Sequence, residues 1–240
     1  MTPRRFVVGT RRSTLALRQA EIVLRLLRSA HPGVTFEVRE YEASGDTMLH
    51  VPAPELAPDA FTDVLETALE RGDIDAAVHS YKDMPADMSP GLVVAAVPVR
   101  ADPREALVSA LPLTLDALPC GAIVGTSSER RAAAVLALRS DVIVRPIRGA
   151  VDARVAKVIA GEYDAAVLAL AGLDRLGLRR HVTEIFDVET MPPAAGQGAL
   201  AVQCRADDAI ALALLSDIDD VSLHNDVDSE LRYAQLGAQS

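Results

Sequence analysis

The sequence predicts an α/β protein made of two similar lobes facing each other across a cleft, with parallel or mixed sheets flanked by helices. Three observations predict it. Short apolar runs alternate with segments of helical period, the pattern of β-α-β units. Val7-Val8-Gly9-Thr10 is echoed by Ile123-Val124-Gly125-Thr126, each ahead of a helix start rich in hydroxyls and arginines. Gly72-Asp73-Ile74-Asp75-Ala76-Ala77-Val78 is echoed by Gly161-Glu162-Tyr163-Asp164-Ala165-Ala166-Val167. Paired echoes in the same order point to duplication.

Each element follows from local chemistry. Phe6 to Val8 reads as a buried strand, and Gly9-Thr10 as its turn. Ser13 or Thr14 caps a helix in which Ala16, Ala20, Val23, Leu24 and Leu27 recur at helical spacing. His31-Pro32-Gly33 ends it, and Val34, Phe36 and Val38 alternate as in a strand. Phe61 to Glu70 reads as a helix stopped near Gly72, Ala76 to Val78 as a buried strand, and Gly91 to Val99 as a longer one. The polar stretch Arg100-Ala101-Asp102-Pro103-Arg104 reads as a linker. The grammar then repeats. Strand Ala122 to Val124 leads to a Gly125-Thr126 turn and a helix through Leu138, capped by Ser127 or Ser128. Strand Val142 to Ile147, helix Val151 to Ile159 and strand Ala165 to Leu170 follow. Ala199 to Val202 is read as the chain crossing back to the first sheet. The expected division is 1–99 with 199–216 for the first lobe, 103–193 for the second, and 217–240 as a C-terminal helical segment.

Bulk composition narrows the function. Half of the 240 residues are hydrophobic and only 3% are aromatic, so Ala, Val and Leu must fill the core. A net charge of −10 argues against non-specific nucleic-acid binding, which needs clustered cations. Cys120 and Cys204 stand outside any zinc spacing, so no metal site is expected. No secretory leader and no apolar run of spanning length is read, so a cytoplasmic protein without membrane attachment is expected.

The arginines carry the chemistry. Each Gly-Thr turn sets hydroxyls and backbone N–H groups at a helix N-terminus, where anions bind. Arg11 and Arg12 follow the first turn, Arg130 and Arg131 the second, and Arg148 and Arg154 a later strand end. Ligands of open α/β sheets bind beyond the carboxyl ends of strands. Guanidinium forks match carboxylates bidentately, so a small polycarboxylate is the expected ligand, with phosphate as the competing anion. A phosphate-binding Gly-x-x-x-x-Gly-Lys-Ser/Thr loop is absent. The most distinctive segment is Ala77-Val78-His79-Ser80-Tyr81-Lys82-Asp83-Met84-Pro85, where a strand end presents Ser80, Lys82 and Asp83 together. A carboxylate among cations suits stabilising a transient cation or moving a proton. His79, within an apolar strand, reads as a satisfied core histidine.

These residues, with Gly-Thr-Ser-Ser-Glu-Arg-Arg, Arg-Gly-Ala-Val-Asp-Ala-Arg and Pro-Pro-Ala-Ala-Gly-Gln-Gly-Ala-Leu, resemble the hydroxymethylbilane synthase (porphobilinogen deaminase) family, in register from about Arg5 to Asp208. The resemblance implies lobes like those of periplasmic binding proteins and an enzyme that joins porphobilinogen units with release of ammonia. It implies that Asp83 is the catalytic aspartate, with Lys82 beside it. It places Arg11, Ser13, Ser80, Thr126, Ser127, Ser128, Arg130, Arg131, Arg148, Arg154 and Gln197 on substrate-binding positions.

The chain also departs from the family's pattern. The family tethers a dipyrromethane primer to a third-domain cysteine, near whose place this chain has Ala238. No covalently bound cofactor is therefore expected, though a dipyrrole held non-covalently is compatible. Ala57-Pro58-Asp59-Ala60-Phe61 stands where the family often has Gly-Lys-Gly-Leu-Phe. The first reading is thus a pyrrole-condensing transferase of tetrapyrrole type giving short, dipyrrole-sized products, in a specialised pathway. The alternatives are a non-catalytic receptor for a pyrrole or other polycarboxylate, and a truncated ordinary synthase. A homodimer through the segment after Asp217 is a further expectation.

Overall fold

The computed structural model describes residues 5–48, 57, 59–85 and 88–238, with side chains through 234. In chain order the elements are β1 (Arg5–Arg11), α1 (Thr14–Ala30), β2 (Thr35–Tyr41), α2 (Ser44–Thr47), α3 (Asp63–Glu70), β3 (Ala76–Ser80), β4 (Leu92–Ala96), β5 (Glu105–Ser109), β6 (Ile123–Gly125) and α4 (Glu129–Leu138). They continue with β7 (Ile143–Arg145), α5 (Val151–Ile159), β8 (Ala165–Ala169), α6 (Leu170–Arg175), β9 (Val182–Ile185), β10 (Leu200–Arg205), α7 (Ala209–Ser216) and α8 (Val221–Ala238). Contacts divide the chain into unit 1 (1–47, 57–101 and 195–240) and unit 2 (48–56 and 102–194).

Unit 1 holds a sheet of order β2-β1-β3-β10-β4. β1 runs parallel to β2 and β3, and β10 runs antiparallel to both β3 and β4. The returning strand expected at Ala199 to Val202 is β10, inserted between strands that precede it by over a hundred residues. Helix α1 starts where the Ser13 side chain accepts the Ala16 N–H, satisfying one of the helix's open donors. Its Ala20, Val23, Leu24 and Leu27 pack on Phe6, Val8, Val78 and Val202. Helix α7, not read from the sequence, covers the same layer through Ala211 and Leu215 and is capped by Asp208.

Unit 2 holds a sheet of order β7-β6-β8-β5-β9. β6 runs parallel to β7 and β8, whereas β5 is antiparallel to β8 and β9. Both sheets are therefore mixed, the broader of the two expected arrangements. Strands β5 and β9 were not legible: β5 opens on Glu105, a charged residue directly after the polar linker, yet entirely buried.

The internal echoes are echoes in space as well. In unit 1 the Val7 N–H donates to Asp75 Oδ2 at 2.6 Å, and the Asp75 N–H returns to the Val7 carbonyl. In unit 2 the Ile123 N–H donates to Asp164 Oδ2 at 2.7 Å, and the Asp164 N–H returns to the Ile123 carbonyl. A Cβ on Gly9 would lie 2.4 Å from Ile74, and one on Gly125 would lie 3.0 Å from Tyr163. The glycine, the facing hydrophobe and the aspartate recur as a set, because each lobe packs one turn against the entry to its next parallel strand.

Helix α8 belongs to unit 1. Val227 is fully buried, and Leu223 and Leu231 pack with it against Tyr81, Met84, Val97, Ala199 and Ala201. The expected C-terminal helical segment thus packs its apolar face within unit 1. Among the described residues no helix is long and apolar enough to cross a membrane, and no His, Cys, Asp and Glu cluster suits a metal ion.

Candidate active site

In unit 1 the carboxyl ends of β1 and β3 and the start of β10 lie side by side, with Leu200 opposite Ser80. β3 ends in a single 3-10 turn, Tyr81–Asp83. This puts Lys82 and Asp83 just beyond the carboxyl end of the sheet's central strand, on a backbone fixed at both ends. The Tyr81 N–H bonds the Ala199 carbonyl, and the Met84 N–H bonds the Tyr81 carbonyl.

Arg11, at the end of β1, is the centre of the cluster. Its Nε donates to Asp46 Oδ2 at 2.8 Å and its Nη2 to Asp46 Oδ1, while Nη1 lies 3.8 Å from Asp83 Oδ2. The Phe61 ring covers the guanidinium, 4.6 Å from centroid to carbon. Burial opposes the Arg11 charge, but Asp46, Asp83 and Asp63 outweigh it and hold the group above the usual arginine range. Lys82 Nζ donates to Gln197 Oε1 at 3.2 Å. Ser80 Oγ accepts from the buried Gln19 Nε2 at 2.8 Å. Arg11, Ser80, Lys82, Asp83 and Gln197 are therefore brought together, whereas Ser13 acts as the α1 cap. Asp46, Phe61 and Gln19 were missed in the sequence. Phe61 matches the last residue of the family's Gly-Lys-Gly-Leu-Phe pattern, and in the structure it packs on Gly45, where a Cβ would stand 2.5 Å from the Phe61 ring.

His79 lies behind this turn and is wholly buried. Its imidazole is pushed down to about 4, chiefly by burial and then by the Arg11 charge, with Gln203 acting the other way. It is a core histidine as expected, but not a satisfied one, since Nε2 has no hydrogen-bond partner among the described residues.

In unit 2 the arginines answer an internal carboxylate. Arg130 Nη2 donates to Glu105 Oε1, and Arg130 Nη1 to the Pro192 carbonyl. Arg131 Nε donates to Glu105 Oε1 at 3.0 Å, and its Nη2 lies 2.9 Å from Oε2. Burial would raise the Glu105 carboxyl, but Arg131 and then Arg130 overcome it and hold it below its ordinary value. The Arg131 side chain is 9% exposed and that of Arg130 33%, so only Arg130 presents a substantial face to solvent. The hydroxyls fold inward too. Thr126 Oγ1 accepts the Ser128 N–H, Ser127 Oγ exchanges bonds with both the N–H and carbonyl of Ile147, and Ser128 caps α4. Arg148 reaches the Met48 carbonyl at 3.5 Å, its Nε buried without a hydrogen bond, and Arg154 Nε donates to the Gly149 carbonyl at 2.7 Å.

Comparison with known proteins settles the ancestry. Residues 6–213 match the family described as porphobilinogen deaminase, dipyromethane cofactor binding domain. The chain belongs to the porphobilinogen deaminase family. It is therefore an enzyme of the pyrrole-condensing transferase class. The chain is 45% identical to the porphobilinogen deaminase of Roseiflexus sp. (strain RS-1) over 233 residues, covering 96% of this chain and 77% of that one. It is 44% identical to the Brevibacillus brevis enzyme, over 94% of this chain and 74% of that one. Solved structures share the fold at low identity. A putative methionine-binding lipoprotein of Bacillus subtilis superposes with a TM-score of 0.55 at 15% identity, covering 92% and 93% of the two chains. The periplasmic VFT2 domain of Bordetella pertussis BvgS gives 0.51 at 14%, covering 96% and 92%. Both support a periplasmic-binding-protein-like α/β fold.

The family carries a dipyrromethane cofactor, and the polar groups here fit such a molecule: Asp83 for ring N–H donors, cationic side chains for carboxylates. The two cysteines stand in different settings. Cys204 is fully buried in β10, with its thiol pushed up to about 11 by burial and then by Asp208. Cys120 is exposed in unit 2, against the Asp141 carbonyl.

Proposed function

We propose that this chain deaminates porphobilinogen or a closely related pyrrole acid and condenses the product with a second pyrrole. The observation that carries the reading is the Ser80–Asp83 turn, where a carboxylate stands 3.8 Å from a guanidinium already neutralised by another acid. Because Asp46 answers Arg11, Asp83 keeps an acceptor for the ligand.

The chemistry follows from charge. The protonated amino group of the aminomethyl side chain leaves as ammonia, taking the C–N bond pair, and the positive charge spreads over the remaining methylene and the ring. Asp83 accepts the ring N–H and faces that charge as it develops, a contribution of about 3–4 kcal/mol for one well-placed partner. The α-carbon of the acceptor pyrrole then forms the new C–C bond, and its proton passes to Asp83 and on to water. Lys82, Ser80 and Gln197 orient the substrate beside this carboxylate. Arg11, Arg130, Arg148 and Arg154 bind carboxylate groups, with Ser13, Thr126, Ser127 and Ser128 shaping the backbone around them. Arg131 supports this by sharing Glu105 with Arg130.

In this reading the acceptor is held by ion pairs and hydrogen bonds, and the products are short, dipyrrole-sized chains. Such a product suits a specialised pathway. Incubation with porphobilinogen, reading ammonia release and the mass of the pyrrole products, tests both levels. Ammonia with dipyrroles is expected. No ammonia would overturn the activity, and tetrapyrrole as the main product would overturn the short-chain reading alone.

A further inference from the structure

Tyr81 sits between the two site residues Ser80 and Lys82, yet its side chain points away from them into unit 1. It is 2% exposed. Its ring rests on the backbone of Gly196, so closely that a Cβ there would lie 2.9 Å from it; Gly196 also has φ +68°. Its hydroxyl donates a short hydrogen bond to Asp228 Oδ1 on α8. Burial, followed by this bond and the Asp228 charge, holds the phenol far above its usual range, so the O–H stays a donor. Two residues along the same helix, Glu230 accepts the Gly196 N–H at 2.9 Å and pairs with Arg100. Arg100 Nε donates to the carbonyl of Gln197, whose side chain receives Lys82.

One helix therefore grips both segments that meet at the Lys82–Gln197 bond. We infer that Asp228 is a positioning residue: through Tyr81 it sets the register of the turn that presents Lys82 and Asp83. Packing of Val227, Leu223 and Leu231 attaches the helix to the unit, but an apolar face alone leaves rotation of the turn open. A charged acceptor at a fixed point removes it. A displacement of about 1 Å is enough to cost a reaction ~10²-fold, so such a tether acts on kcat.

This inference rests on the activity proposed above, and the test separates the two. The full chain is compared with Tyr81→Phe, Asp228→Ala and Asp228→Asn by hydrogen exchange of the 80–84 segment and by porphobilinogen kinetics. Tyr81→Phe keeps the packed ring and Asp228→Asn keeps an acceptor. In Tyr81→Phe and Asp228→Ala, exchange at 80–84 is expected to speed up about tenfold while β1 and β2 stay unchanged. kcat is expected to fall about tenfold with KM within twofold, and Asp228→Asn to restore most of both. Unchanged exchange at 80–84, or equal acceleration throughout unit 1, would overturn the tether. A wild-type chain that releases no ammonia would overturn the activity, while the exchange data still decide the role of Asp228.

Discussion

The two units begin with the same sentence and finish it differently. Each has a strand carrying Gly-Thr at its end ahead of a serine-capped helix, braced by an aspartate from the entry to the next parallel strand; in unit 1 the expected Gly9-Thr10 turn is instead the continuation of β1 through Arg11. In unit 1 the arginine is answered from the side by Asp46 and Phe61, leaving Asp83 30% exposed beyond the end of β3. In unit 2 two arginines close on Glu105, which is entirely buried. One copy of the motif exposes a carboxylate beside a neutralised cation, and the other buries a carboxylate beneath two cations. Duplication conserves the frame, and the location of the acid decides whether the frame does chemistry or holds itself together.

The largest expected effect on stability lies in unit 2. Glu105→Gln leaves two guanidinium groups without their buried counter-charge, and breaking such a network costs about 3–5 kcal/mol. Thermal or urea unfolding checks it, and a loss equal to that of an exposed ion pair would remove the contrast between the units. Asp46→Ala in unit 1 costs less fold, because Arg11 keeps the Phe61 ring and can turn to Asp83. Its effect is on chemistry instead: Asp83 loses its acceptor capacity, and kcat is expected to drop about tenfold with a small change in melting temperature.

Acid separates the units more gently. The His79 imidazole titrates at about 4 in the fold against 6.5 ordinarily, so the unfolded chain binds the extra proton first. Its stabilising contribution is complete above pH 6.5 and is lost as pH falls toward 4. Glu105, held below its ordinary 4.5, keeps its contribution until the pH falls below that value. Stability lost between pH 6.5 and 4.5 is therefore expected to flatten in His79→Gln, whereas the steeper loss below 4.5 is expected to persist. An unchanged profile in His79→Gln would contradict the assignment.

What was legible in the sequence was local. Caps at Ser13 and Ser128 and the Asp75 and Asp164 echoes lie within one supersecondary unit each, so their spacing reports their geometry. The antiparallel strand β5 escaped because a charged first residue disguised it. The partners that define the site's electrostatics escaped because they come from elsewhere in the chain. Asp46 is 35 residues from Arg11, Glu105 is 25 from Arg130, and Asp228 is 147 from Tyr81. Arginines pattern a sequence, but their counter-ions are chosen by the tertiary fold.

The most direct test of the account is the turnover of Asp83→Asn with porphobilinogen, compared with wild type at matched melting temperature. The account predicts a fall in kcat of about 10²–10³-fold with KM little changed, because the lost charge acts only as the ring becomes cationic. Wild-type kcat in this variant would contradict it.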